Sequence, residues 1–197
     1  MIITIFGSST PLPDTPDYQN TIKLGKFIAD LGHTVMNGGY LGTMEAVSRG
    51  AAEAGGKVIG ITCDEIEKWR PVKPNSWLTD EVRFPTLQQR LDYLVCQCDL
   101  AIALPGGIGT LTEIAYTWNL MVIGVLTISP LWVVGSQWRS VIEAFYHQLA
   151  PNIPSPKKEH IYFHNNIDEV IGHFDKLQDY RKNKIIHDKR KKKNDFK

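Results

Sequence analysis

The stretch Leu100-Ala101-Ile102-Ala103-Leu104-Pro105-Gly106-Gly107-Ile108-Gly109-Thr110-Leu111-Thr112-Glu113 decides how the rest of the chain is read. Leu100 to Leu104 is an apolar run of the length of a buried strand; it stops at Pro105, opens into three glycines within four residues, and resumes with helical character from Thr110. That order predicts a strand, a tight turn and a helix. Pro105 cannot donate to a sheet ladder, Gly106, Gly107 and Gly109 allow close backbone approach, and the helix presents unpaired N–H groups at its positive end. Such a turn suits an anion, most often a phosphate. No Lys follows the last glycine, so it is not a Walker loop, and the spacing is not Gly-x-Gly-x-x-Gly. Thr110 and Glu113 also have capping-box spacing, a purely structural reading in which Thr110 caps the helix.

Outward from this unit, strands and helices alternate. Ile2–Phe6 reads as a strand ending in Gly7-Ser8-Ser9. A proline-marked loop (Pro11, Pro13, Pro16) follows, then a helix to Leu31. Thr34–Met36 is a short strand, Asn37–Gly42 a second glycine turn, Thr43–Ala54 an Ala-rich helix and Val58–Ile61 a third strand. Thr62–Pro85 is long and polar and reads as a loop or lid containing some helix. Helix Leu87–Gln97, the quoted unit with its helix to Leu120, strand Val122–Ile128, helix Gln137–Leu149, a Pro-rich crossing, strand His160–Phe163 and helix Ile167–Tyr180 complete the order. This predicts an α/β fold, a doubly wound, Rossmann-like parallel sheet with helices on both faces. Its ligand belongs at the carboxyl ends of the strands, where the turns at Gly7, Gly38–Gly42 and Pro105–Thr110 converge.

Length and composition bound the possibilities. At 197 residues and 43% hydrophobic content the chain suits a single domain over residues 1–180. Three cysteines give no disulfide framework, and neither a signal peptide nor a membrane-spanning run is visible, so a soluble cytoplasmic protein is expected. The net charge of +1 divides into +7 over residues 181–197 and −6 over the remainder. The basic run at 189–193 reads as a solvated, disordered tail rather than a nucleic-acid site. Cys96 and Cys98 are too few for a metal centre, as are His160 and His164, and no metal site is expected. No Lys stands in a context that suggests a pyridoxal Schiff base.

Gly38-Gly39-Tyr40-Leu41-Gly42-Thr43-Met44 resembles a Gly-Gly-x-x-Gly-x-Met segment, and Pro105–Glu113 fits a Pro-Gly-Gly-x-Gly-Thr-x-x-Glu signature at every fixed position. Both are similar to motifs of the Lonely Guy (LOG) family, cytokinin riboside 5′-monophosphate phosphoribohydrolases formerly labelled lysine decarboxylases. The resemblance includes Phe6-Gly7-Ser8-Ser9, Arg90 and Thr117-Trp118, and covers roughly residues 1–128. It implies hydrolysis of the N-glycosidic bond of a purine nucleoside 5′-monophosphate, with an N6-modified adenine as one candidate base and no cofactor. Arg90 and Glu113 are then the catalytic pair. Gly7, Ser8, Gly38, Gly39, Gly42 and Thr43 would line the sugar and base, and Gly106, Gly107, Gly109 and Thr110 would hold the phosphate. The sequence departs from the family pattern at Asn37, Leu91 and Thr112. Related branches bind nucleotides or molybdenum cofactor without hydrolysis, which leaves a carrier protein as the alternative. Apolar residues on more than one side of helices 87–97 and 109–121 add the expectation of an at least dimeric protein, a homodimer, with Arg90 or residues next to it close to the partner subunit.

Overall fold

The computed structural model describes residues 1–126, 131–153 and 160–174. Among these residues, seven strands form one parallel sheet: β1 (Ile2–Phe6), β2 (Thr34–Asn37), β3 (Val58–Cys63), β4 (Asp80–Phe84), β5 (Leu100–Ala103), β6 (Leu131–Val134) and β7 (Ile161–His164), in the spatial order β4-β3-β2-β1-β5-β6-β7. The order reverses between β1 and β5, which is the switch point of a doubly wound sheet. Register brings Ile5 beside Asn37, Phe6 beside Ala103 and Val134 beside His164, so the carboxyl ends finish level.

Alternation within the strands supplies both faces. Ile3, Ile5, Leu100, Ile102, Leu104, Trp132 and Val134 point to one side, where α1 (Pro16–Asp30), α2 (Thr43–Glu53) and a helix over residues 167–174, here α7, cover them. Phe6, Ala101, Ala103, Leu131 and Val133 point to the other, under α4 (Leu87–Cys96), α5 (Ile108–Val122) and α6 (Ser136–Leu149). The short α3 (Asp64–Trp69) lies in the β3–β4 connection and buries no residue fully. None of the helices described is long and apolar enough to cross a membrane.

Three expectations change. The strand placed at Val122–Ile128 is instead Leu131–Val134: α5 continues through Val122, and Gly124 at φ 76° turns the chain after it. The polar stretch 62–85 is not one loop. It holds the end of β3, α3 and the edge strand β4, whose mostly exposed Asp-Glu-Val-Arg-Phe lacks the apolar signature of a buried strand. The capping box does not form, because α5 begins at Ile108 with Gly107 as its N-cap and Thr110 falls inside the first turn. The tail at 181–197 and the end of the helix expected to reach Tyr180 lie outside the described residues.

Candidate active site

Three strand ends build the site. At the first, Gly7 is wedged between its neighbours: a Cβ there would lie 2.3 Å from Thr43 Oγ1 and 3.5 Å from Leu104 Cβ. Only a glycine lets the β1 turn lie between the β2 and β5 ends. The Ser8 carbonyl then accepts from both the Thr43 N–H (2.9 Å) and the Thr43 hydroxyl (2.8 Å), locking the β1 turn onto the start of α2. Gly42, at φ 68°, faces the Ser8 and Ser9 backbone so closely that a Cβ would sit 2.4 Å from the Ser8 oxygen.

At the second strand end, the glycine turn after β2 is buried and held from several sides. The Asn37 side chain accepts from the Gly39 N–H at 2.8 Å and donates to Ser48 Oγ at 2.9 Å, a side-chain turn that explains why Asn serves where the resembling motif has glycine. Asn75 Nδ2 donates to the carbonyls of Gly39 and Tyr40, each at 3.0 Å. The Tyr40 hydroxyl accepts from the Cys63 N–H at 2.9 Å, and burial pushes that phenol up to about 12. Asn75 belongs to the stretch read as a lid; it is a clamp, and no periodicity or motif marks it.

Arg90 on α4 is buried beneath this turn. Its Nε donates to the Ile61 carbonyl at 2.7 Å, one Nη to the Gly38 carbonyl at 3.2 Å, and its guanidinium lies 5.8 Å from the centre of the Tyr40 ring. Gly38 is the space the guanidinium needs, since a Cβ there would lie 2.0 Å from Arg90 Nη2. Burying a cation without a carboxylate beside it is costly, and two carbonyls and an aromatic face offset that cost here.

The third strand end carries the turn Pro105–Gly109. The Trp138 indole N–H donates to the Leu104 carbonyl at 3.0 Å and fixes where β5 ends. A Cβ on Gly106 would lie 2.2 Å from Thr110 Oγ1, so the buried Thr110 packs back over Gly106, whereas Gly107 and Gly109 face open space. With Gly107 as an N-cap lacking a side-chain bond, the first N–H groups of α5 are left for a ligand or water. Glu113 follows on α5 and is half-buried. Desolvation raises its carboxyl to about 7, a rise the Arg90 cation opposes. The two charges sense each other without forming an ion pair.

The structure therefore brings together Gly7, Ser8, Gly42, Thr43 and the β5 end in one packed unit, and Gly38, Gly39 and Arg90 in another. Glu113 is coupled to Arg90 through space, and Gly107–Gly109 forms the open rim. Of the cysteines outside the site, Cys98 is core, its thiol pushed up to about 11 by burial.

Comparison with known proteins gives three results. The sequence profile of the SLOG cluster4 family matches residues 1–160. An uncharacterized protein of Archaeoglobus fulgidus is 31% identical over 102 residues (52% of this chain, 64% of that one). A probable cytokinin riboside 5′-monophosphate phosphoribohydrolase of Oryza sativa subsp. japonica is 31% identical over 120 residues (59% of this chain, 48% of that one). The chain thus spans about half to two thirds of these relatives. Among solved structures, the molybdenum cofactor binding protein of Rippkaea orientalis superposes with a TM-score of 0.68 at 22% identity, covering 89% of this chain and 96% of that one. The molybdenum cofactor carrier protein of Chlamydomonas reinhardtii superposes with a TM-score of 0.68 at 21% identity, covering 90% and 97%. At these identities the superpositions establish the shared fold.

Proposed function

The chain belongs to the SLOG cluster4 family, and from that premise we propose that it is a phosphoribohydrolase, cleaving the N-glycosidic bond of a purine nucleoside 5′-monophosphate to free base and ribose 5-phosphate. The observation that carries the reading is the desolvated Glu113 carboxyl, raised to about 7 against the opposing charge of buried Arg90, on the same helix whose open N-terminus follows Gly106-Gly107. Leaving of the base builds positive charge on the ribose. The Glu113 carboxylate stabilises that charge and accepts a proton from the water that attacks the anomeric carbon, while the departing ring nitrogen takes up a proton. A pKa near neutrality lets one carboxyl exchange protons in both directions at physiological pH.

Arg90 is always charged and is not the base. It fixes the Gly38 and Ile61 carbonyls and holds the Glu113 pKa below what burial alone would impose. The α5 N-terminus with Gly107 and Gly109 receives the 5′-phosphate, which makes a phosphorylated nucleoside the preferred substrate. No metal or organic cofactor enters this chemistry. Incubation of the purified protein with AMP and isopentenyladenosine monophosphate, followed by chromatography of released base, tests the reading; no release across a nucleotide panel overturns it.

A second reading, a carrier of a nucleotide or of molybdenum cofactor as cargo, is favoured by one feature. Arg90 spends its hydrogen bonds on backbone carbonyls and makes no ion pair with Glu113. It predicts tight binding without turnover, unaffected by Glu113→Gln.

A further inference from the structure

A cavity opens beside the β5 turn, on the side of the sheet away from α4 and α5. Its volume is about 290 Å³, and it is enclosed by the start of α1, the start of α6 and the β7–α7 junction. Its floor is apolar and buried: Leu104 is 1% and Val134 3% exposed. Its rim is polar, with Asp17 and Asn20 from α1, Gln137 from α6 and Asn166 at the foot of α7. Thr43 and Pro105, already placed in the candidate site, line it too, so the two adjoin; Arg90 and Glu113 do not line it and belong to α4 and α5, which cover the opposite face.

The lining sets the ligand class. Among the described residues that enclose the cavity, Asp17 is the one charged side chain and neither Lys nor Arg occurs, so a phosphate would meet a carboxylate there rather than a cation. Asn20, Gln137 and Asn166 offer amide donors and acceptors in addition to the Asp17 carboxylate, which can only accept. An apolar floor with a rim of mixed amides suits a flat heteroaromatic ring, and the carboxylate favours one that bears an exocyclic amine. The volume lies at the small end for ligand pockets and matches a single ring system better than a whole nucleotide.

We propose that this cavity binds a phosphate-free aminopurine ring, separately from the Arg90–Glu113 site, with Asp17 accepting from the exocyclic amine. The ring's identity rests on the reaction proposed above, whose product is such a base; the site itself does not. Titration calorimetry of adenine into the full chain, with hypoxanthine as the control lacking the amine, tests it directly. Adenine binds at one site per chain at least tenfold tighter than hypoxanthine, Asp17→Asn removes most of that preference, and Glu113→Gln leaves adenine binding intact. Asp17 is exposed in the first turn of α1, and Asn20→Ala, one turn further on, weakens adenine without touching the helix cap, so loss of binding and loss of folding are separable. Absence of adenine binding, or binding indifferent to Asp17→Asn and Asn20→Ala, overturns the site. Absence of nucleotide hydrolysis with adenine binding retained overturns the reaction instead.

Discussion

Glu113 illustrates how one side chain ties function to stability. Its carboxyl titrates at about 7 in the folded protein against an ordinary value of 4.5. Base release that needs the carboxylate therefore rises as pH increases through about 7, and Glu113→Gln lowers the rate by about 10²–10⁴-fold, the range for a positioned acid–base group. A pH–rate profile of AMP hydrolysis checks both. The stability consequence has the opposite slope: because folding raises this pKa, the folded state is favoured most below 4.5 and loses that advantage as pH climbs to 7. Glu113→Gln should accordingly raise Tm at pH 8 and leave it nearly unchanged at pH 4, which paired thermal melts can establish. His164 works in reverse. It is 3% exposed, both its ring nitrogens have no hydrogen-bond partner among the described residues, and Trp132 and His173 pack against it. Burial, with His173 and Arg139 nearby and Glu169 opposing them, lowers its pKa from 6.5 to about 4. Its contribution is complete above 6.5 and drains away as pH falls toward 4. His164→Phe should therefore shrink the Tm loss between pH 7 and pH 5, with each kcal/mol recovered worth about 2–4 °C; an unchanged loss refutes this account.

At the scale of elements, the glycine turns are packing devices as much as binding devices. Gly42 combines φ 68° with a backbone oxygen 2.4 Å from any added Cβ, so Gly42→Ala must break the Ser8–Thr43 lock. A loss of about 1–3 kcal/mol is expected from the strain alone, measurable by denaturant unfolding. Gly38→Ala acts differently, by displacing the Arg90 guanidinium; it should cost base release more than stability, and comparing kcat with the unfolding midpoint separates the two. These elements also show what the sequence could reveal. Ile2–Phe6 and Leu100–Ala103 were legible because buried parallel strands are continuous apolar runs, and helices α1, α2, α4 and α6 because their faces alternate at helical spacing. β4 was not, since an edge strand exposing Asp80, Glu81 and Arg83 carries no such pattern. α5 began two residues before Thr110 because backbone geometry, rather than the capping-box residues, set its start. Arg90 and Glu113 were legible through motif resemblance alone; that Arg90 would bond the Ile61 and Gly38 carbonyls depends on contacts 29 and 52 residues apart, which no local pattern encodes.

At the scale of the whole molecule, one face of the described residues carries large exposed apolar side chains. Along α5 and α6, Val122 is 48%, Val141 47%, Phe145 43% and Leu149 44% exposed, and Leu111 is 37% exposed. Trp118 links the two helices, its ring 5.9 Å from Phe145 and 5.3 Å from Tyr146. A monomer rarely leaves such a surface in water, and a self-complementary patch on paired helices is most simply closed by a two-fold axis. We propose that the expected homodimer docks through α5 and α6. Arg90 itself is buried under the β2 turn, and Glu113 is the member of the pair carried by α5, a helix of this surface. Phe145→Glu places a charge at the middle of the patch without touching the sheet, the glycine turns or Arg90. Light scattering at micromolar concentration should report about twice 22.2 kDa for the parent chain and a single 22.2 kDa species for the variant. If the variant is monomeric and folded yet releases base at the parental rate, the dimer is structural only. If the parent is itself monomeric at 22.2 kDa, the surface is not a dimer interface.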